Sequence, residues 1–168
     1  MLFRSPVTIG VAGGMRLVAA SVPFSSVSLL LHMDGTNGST LFVDSSQSPK
    51  SVTASGNAQI STTQSKFSGS SGLFDGSGDY LSIPFTSGGG FDFGTSNFTV
   101  EFFTRVSELK RCDFYVCAPS TGATSIYIYY DPSVDELGFG GQFGNVYYTA
   151  RFTNSGAGAI LLNNWCQY

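Results

Sequence analysis

Charge, histidine and glutamate are what this 168-residue sequence has least of. Charged residues make up 11% of it, His32 is the single histidine, and Glu101, Glu108 and Glu136 are the three glutamates. A net charge of −3 leaves no basic surface to neutralise phosphates, which argues against nucleic-acid binding. The same shortage removes a polybasic membrane patch, and no membrane insertion is expected. His32 sits in the apolar run Leu29-Leu-Leu-His-Met33, where it reads as a core histidine and not as the base of a nucleophilic triad. The three cysteines, Cys112, Cys117 and Cys166, are an odd number and match no zinc spacing. They leave two readings open, a Cys112–Cys117 bridge across a hairpin or small half-buried thiols.

What is abundant points to strands. Aromatic residues reach 14%, with 15 Phe and 8 Tyr, and 21 glycines punctuate them. Side chains that suit a pleated surface thus alternate with turn formers, while helical periodicity is absent. The length corresponds to one domain with a sizeable core.

Two strands around which the rest is arranged are written in Tyr80-Leu-Ser-Ile83 and Asn97-Phe-Thr-Val-Glu-Phe102, where apolar and polar residues alternate at period two. Upstream, residues 1–27 read as an N-terminal arm. A secretory signal does not fit, because the apolar run after Arg16 is short and Pro6, Gly13 and Gly14 interrupt what precedes it. An extended arm docked on a neighbouring chain and a flexible terminus both account for these residues. Ser26–Met33 predicts a strand covered on both faces, and Leu41–Ser46 a short strand entering an Asx-type turn. Short edge strands follow at Val52–Ala54 and Ala58–Ile60. Beyond the central pair, Cys112–Cys117, Ser125–Tyr130, Leu137–Gly141 and Val146–Phe152 give four more strands with turn chemistry between them. Nine or ten short strands in all describe an antiparallel all-β sandwich.

Four motifs in order carry a family likeness: Leu29-Leu-Leu-His-Met-Asp-Gly35, Phe42-Val-Asp-Ser-Ser46, the stretch from Phe67 through Leu73-Phe-Asp-Gly-Ser-Gly-Asp-Tyr-Leu81, and Phe98-Thr-Val-Glu-Phe102. From about residue 28 to 168 the chain resembles the laminin-G-like branch of the concanavalin A-like lectins and glucanases, domains of which recur in bacteriophage tail and virion surface proteins. The resemblance implies a two-sheet antiparallel jelly roll following the arm. It also implies a non-enzymatic structural or attachment role on a virion surface or in an extracellular setting, with other virion proteins or further copies of the chain as partners. A lectin-like module for host surface glycans is the alternative. Two departures stand out. Phe103 occupies the place where many relatives carry Trp, and Leu162-Asn-Asn-Trp165 leads only to Cys166-Gln-Tyr168 where relatives continue with closing strands. Open strand edges need cover, so either neighbouring subunits supply it or the chain is a fragment of a longer product.

Glycoside hydrolysis, the chemistry of the glucanase relatives, needs two facing carboxyls about 5–5.5 or 6.5–9.5 Å apart. Those relatives place them as Glu-x-Asp-x-x-Glu along a strand, a pattern this sequence lacks, and no enzymatic activity is expected. Calcium is the one cofactor the resemblance suggests, with Asp34, Asp44, Asp75 and Asp79 as candidate ligands beside Gly or Ser. The same pairs are ordinary turn formers, and Asp75 suits a backbone-capping role. Tyr127, Tyr129, Tyr130, Tyr147 and Tyr148 are the candidate glycan or protein contacts. Alternation sends Tyr127 and Tyr129 outward and Ile126 and Ile128 into the core.

Overall fold

The computed structural model describes residues 2–4, 23–67, 69–93, 96–117, 124–143, 146–153 and 160–167. Over these the protein is all-β: twelve antiparallel-paired strands and one turn of 3-10 helix at Phe24–Ser26. The chain gathers into two compact units, one of residues 1–74 and 79–102, the other of residues 75–78 and 103–168.

In the first unit the strands are three residues long: β1 (Leu2–Arg4), β2 (Thr53–Ser55), β3 (Gln59–Ser61), β4 (Ser71–Leu73), β5 (Tyr80–Ser82) and β6 (Thr99–Glu101). They pair as β1 with β6, β2 with β5 and β3 with β4. The two central strands of the sequence reading therefore do not pair with each other. Leu2–Arg4, the described part of the arm, lies against Thr99–Glu101 of the same chain in antiparallel register and so has an intrachain partner.

Much of this unit is held by extended segments that make few ladder bonds. Val27, Leu29 and Leu31 are buried and alternate with half-buried Ser28 and Leu30 and exposed His32, so one face of this segment is covered and not both. His32 falls on the outer face because it follows Leu31 in that alternation, which corrects its reading as a core residue. Phe42 is likewise buried between Leu41 and Val43, which are 68% and 58% exposed. The glycine at 72 lets Phe42, Met33 and Phe74 close together over β4, since a Cβ there would stand 3.1 to 3.4 Å from all three. A turn at Thr36–Ser39, with Gly38 at φ 83°, brings Gly38 and Ser39 alongside Ile60 through bonds of 2.8 and 2.7 Å. This φ is open to Gly at no steric cost.

The second unit contains a four-stranded antiparallel sheet, a simple meander in which each strand pairs with the next in sequence. Its strands are β8 (Cys112–Cys117), β9 (Thr124–Asp131), β10 (Glu136–Phe143) and β11 (Val146–Thr153). A short pair, β7 (Phe103–Thr104) with β12 (Cys166–Gln167), and a parallel bridge from Val106 to Leu162 complete it. The alternation Phe102 buried, Phe103 exposed is kept at the start of this region. All eight residues of β10 are in register with β9 and β11, whereas β8 carries an irregularity between Asp113 and Tyr115. The β9–β10 hairpin is closed by an Asx turn: Asp131 Oδ1 accepts from the Ser133 amide at 3.0 Å and its hydroxyl at 2.6 Å. Asp135 follows in the left-handed region at φ 50°.

None of the three cysteines is in a disulfide, and all are half-buried. Cys112 and Cys117 stand at opposite ends of one strand, β8, and not across a hairpin. Five residues of extended chain separate their Cα atoms by roughly 16 Å, far beyond the ~4.4–6.8 Å of a disulfide. Burial pushes the Cys112 thiol up, so it is held as the unreactive thiol. The unreduced protein, denatured in iodoacetamide, should gain three alkyl groups by mass spectrometry; a product carrying one would establish a bridge that this register forbids for Cys112 and Cys117.

Candidate functional site

Residues expected at a ligand site fall into two groups, the aspartates of the turns and the tyrosines of the hairpin sheet. Each candidate aspartate is placed by its local chain. Asp44 is buried, 4% exposed, at the point where the 41–46 segment bridges Leu31. Its Oδ1 accepts from the amides of Leu30 (3.0 Å) and Ser46 (2.9 Å), and its Oδ2 from the Ser46 hydroxyl (3.0 Å) and the Lys50 amide (2.8 Å). Burial alone would raise this carboxyl; the donated bonds outweigh it and hold Asp44 below the ordinary carboxylate value. Lys50 closes the knot from the other side, its ammonium donating to the carbonyls of Ser28 and of Ser48 (3.1 Å) and lying 5.5 Å above the Phe91 ring. Asp44 is thus a structural pin whose oxygens are occupied by donors. Asp79 accepts from the Asn57 amide at 2.5 Å, Asp75 caps the Ser77 amide at 2.7 Å as its turn chemistry predicts, and Asp34 is exposed. Among the described residues no three His, Cys, Asp or Glu side chains come together in a way that could hold a metal ion.

The tyrosines are arranged by register. On one face of the hairpin sheet β9 presents Tyr127 and Tyr129, and directly opposite them on β10 stand Gly140 and Gly138. With no side chain there, each ring lies down across its glycine; a Cβ on Gly140 would overlap the Tyr127 ring and one on Gly138 the Tyr129 ring. This is aromatic cover of glycine backbone within a sheet. The two rings are neighbours, 6.0 Å apart and tilted by 44°.

Beyond that point the two tyrosines differ. The Arg111 guanidinium sits 4.4 Å from the centre of the Tyr129 ring, and Arg111 is itself paired with Asp113 (3.3 Å) and Asp131 (3.8 Å). Tyr129 is sealed between glycine backbone below and guanidinium above, only 8% exposed. The expected outward row is therefore corrected: Tyr129 is buried and Tyr127 half-buried, because the glycines let the rings recline and the arginine covers one of them. Tyr130 points to the opposite face with Ile126 and is 2% exposed, so it too offers no contact surface. Its hydroxyl donates to Asp135 at 2.7 Å; burial first, and this bond second, push the phenol up to about 12. Tyr148 is 58% exposed on β11, and the Tyr147 side chain lies outside the described residues.

Charges on the same face as Tyr127 form a paired band. Asp131 and Glu136 are directly opposite across the hairpin, a repulsive placement relieved by Arg111 on one side and Arg151 on the other, the latter 3.6 Å from Glu136. The bonds from Ser133, with the two arginines, hold the Asp131 carboxyl below its usual range. Glu108 pairs with Lys110 at 2.8 Å, and Glu101 lies on β6 in the other unit. The site that sequence reasoning missed is this glycine shelf with its arginine cap. Its signal was the spacing of Gly138 and Gly140 two residues apart, matching Tyr127 and Tyr129, but it becomes readable only once the hairpin register is known.

Comparison of the chain with protein-family models, with curated proteins and with solved structures finds no match. Among the described residues no helix is long and apolar enough to cross a membrane.

Proposed function

We propose that this is a non-enzymatic structural or attachment protein of a phage or similar particle surface, a laminin-G-like jelly roll that works by contacts with copies of itself or with other particle proteins. The observation that carries the reading is the exposure of Leu41 and Val43, alternate residues on the outer side of one extended segment whose inner side is anchored by Phe42 and Asp44. Side by side on the outer face of an anchored segment, these two side chains make a small apolar edge that a neighbouring chain can cover. The ordered sequence motifs supply the particle-surface setting, as an analogy of fold and not of site.

Light scattering on the purified chain tests it. A defined oligomer is expected, and Leu41→Ser with Val43→Ser should shift it toward one chain mass while leaving the melting temperature within a few degrees, since neither side chain is in the core. A wild-type monomer at the highest soluble concentration would remove the self-assembly part of the proposal.

A second reading, recognition of host surface glycans, is favoured by one observation: the reclining Tyr127 ring with polar neighbours on the same sheet face. The two readings are compatible, since an attachment protein on a particle surface binds both its neighbours and its target.

A further inference from the structure

We propose that the outer face of the Tyr127 ring is a stacking subsite for an uncharged sugar ring, an inference that rests on the glycan-recognition reading above. Tyr127 and Tyr129 stand in the same setting. Both lie across glycines of β10, in register, with one ring face spent on backbone. Tyr129 has its second face covered by Arg111. Among the described residues Tyr127 has no such cation over it, and its neighbouring ring, Tyr129, is beside it at 6.0 Å. A side chain on a strand ordinarily stands up from the sheet and shows an edge. Leaning over Gly140, where a Cβ would meet the ring, Tyr127 instead spends one side of its ring on backbone and turns the other outward, a face that can stack on another flat ring.

The surroundings select the ligand class. Register places Val116 opposite Tyr127 on β8, Thr149 opposite Gly140 on β11, and the Ser125–Gln142 pair one step along the hairpin. Val116 and Thr149 are exposed and none of these four is charged. The charged groups of this face begin one step the other way, where each arginine is engaged by carboxylates. An anionic or cationic ligand over Tyr127 would find no free opposite charge. A neutral sugar would lay its C–H face on the ring and meet the Ser125 and Thr149 hydroxyls, which both donate and accept and so match a polyol. The hydrophobic Val116 extends the platform on the side away from Thr149.

The test uses the full chain and NMR titration with neutral oligosaccharides of glucose, galactose and N-acetylglucosamine, three to six units long (roughly the span of one exposed sheet face), with sialylated and uronate-containing counterparts as charged probes. Saturable binding of at least one neutral series is expected, with the largest shifts on the Tyr127 ring. Tyr127→Ala should weaken it about tenfold, Tyr127→Phe should keep it, and Tyr148→Ala, on the opposite face of the sheet, should leave it unchanged. Should Tyr127→Ala fail to fold, Thr149→Lys introduces a long charged side chain beside the platform while leaving Gly138 and Gly140 in place, and is expected to weaken binding comparably. Neutral-sugar binding that survives both substitutions overturns the subsite while the glycan reading stands. Binding confined to the charged probes overturns the neutral class, and no saturable binding by any probe overturns the subsite and the glycan reading together.

Discussion

Asp44→Ala should lower stability by about 3 kcal/mol, the largest effect expected of any polar substitution in the first unit. Four donors converge on this one carboxylate: the amides of Leu30, Ser46 and Lys50 and the hydroxyl of Ser46. They come from two stretches of chain, Leu30 and the Ser46–Lys50 loop, so the carboxylate does for this region what a sheet ladder would do elsewhere. Truncation leaves buried N–H groups without acceptors, each costing ~1–3 kcal/mol before relaxation and water entry reduce the sum. Asp44→Asn should be nearly as damaging, because one of its two acceptor positions becomes an NH2 aimed at an existing donor. The pH dependence follows with a definite sign. The folded-state pKa of Asp44 lies below the ordinary 3.8. Its contribution is therefore complete above that ordinary value and is lost as the pH falls through the lower folded value. Urea unfolding of wild type and Asp44→Asn at neutral pH and at about pH 3 should show the gap between them narrowing in acid. A gap that is constant or widens would contradict the assignment.

Gly140→Ala and Gly138→Ala should each destabilise the second unit by about 2–4 kcal/mol, although alanine is normally tolerated in a strand better than glycine. The added Cβ overlaps the Tyr127 ring in the first case and the Tyr129 ring in the second. Relief requires the ring to stand up, and the consequences differ. Tyr127 can lift toward solvent, whereas Tyr129 lies under Arg111, which is tied to Asp113 and Asp131. Gly138→Ala should therefore be the worse of the two, and Gly138→Ala combined with Tyr129→Ala should recover part of the loss. Thermal denaturation of the three variants measures this; equal, small losses would mean that the rings do not lie on the glycine backbone.

The strands β8 to β11 were legible because each is long enough for alternation and turn residues to act together, as in Asp131-Pro-Ser-Val-Asp135 between β9 and β10. Pairing in the first unit was not. Three-residue strands such as Thr53–Ser55 and Thr99–Glu101 carry too little pattern to name a partner, and Glu101 finds Leu2 almost a hundred residues away in sequence. The turn at Asp44 was readable from Asp-Ser-Ser, yet a donor as distant as Leu30 leaves no local trace. For Tyr129 the alternation gave the correct face, opposite Ile126, but not its cover. That depends on two glycines on the next strand and an arginine before β8, none of which a period-two pattern registers.

If the Leu41–Val43 edge is a contact surface, amide hydrogen exchange across Leu41–Asp44 over a dilution series will report its burial. Protection there should rise with protein concentration while Thr53–Ser55 stays unchanged, and should be lost in the Leu41→Ser, Val43→Ser protein. Exchange independent of concentration, in a sample whose mass is that of a single chain throughout, would contradict it.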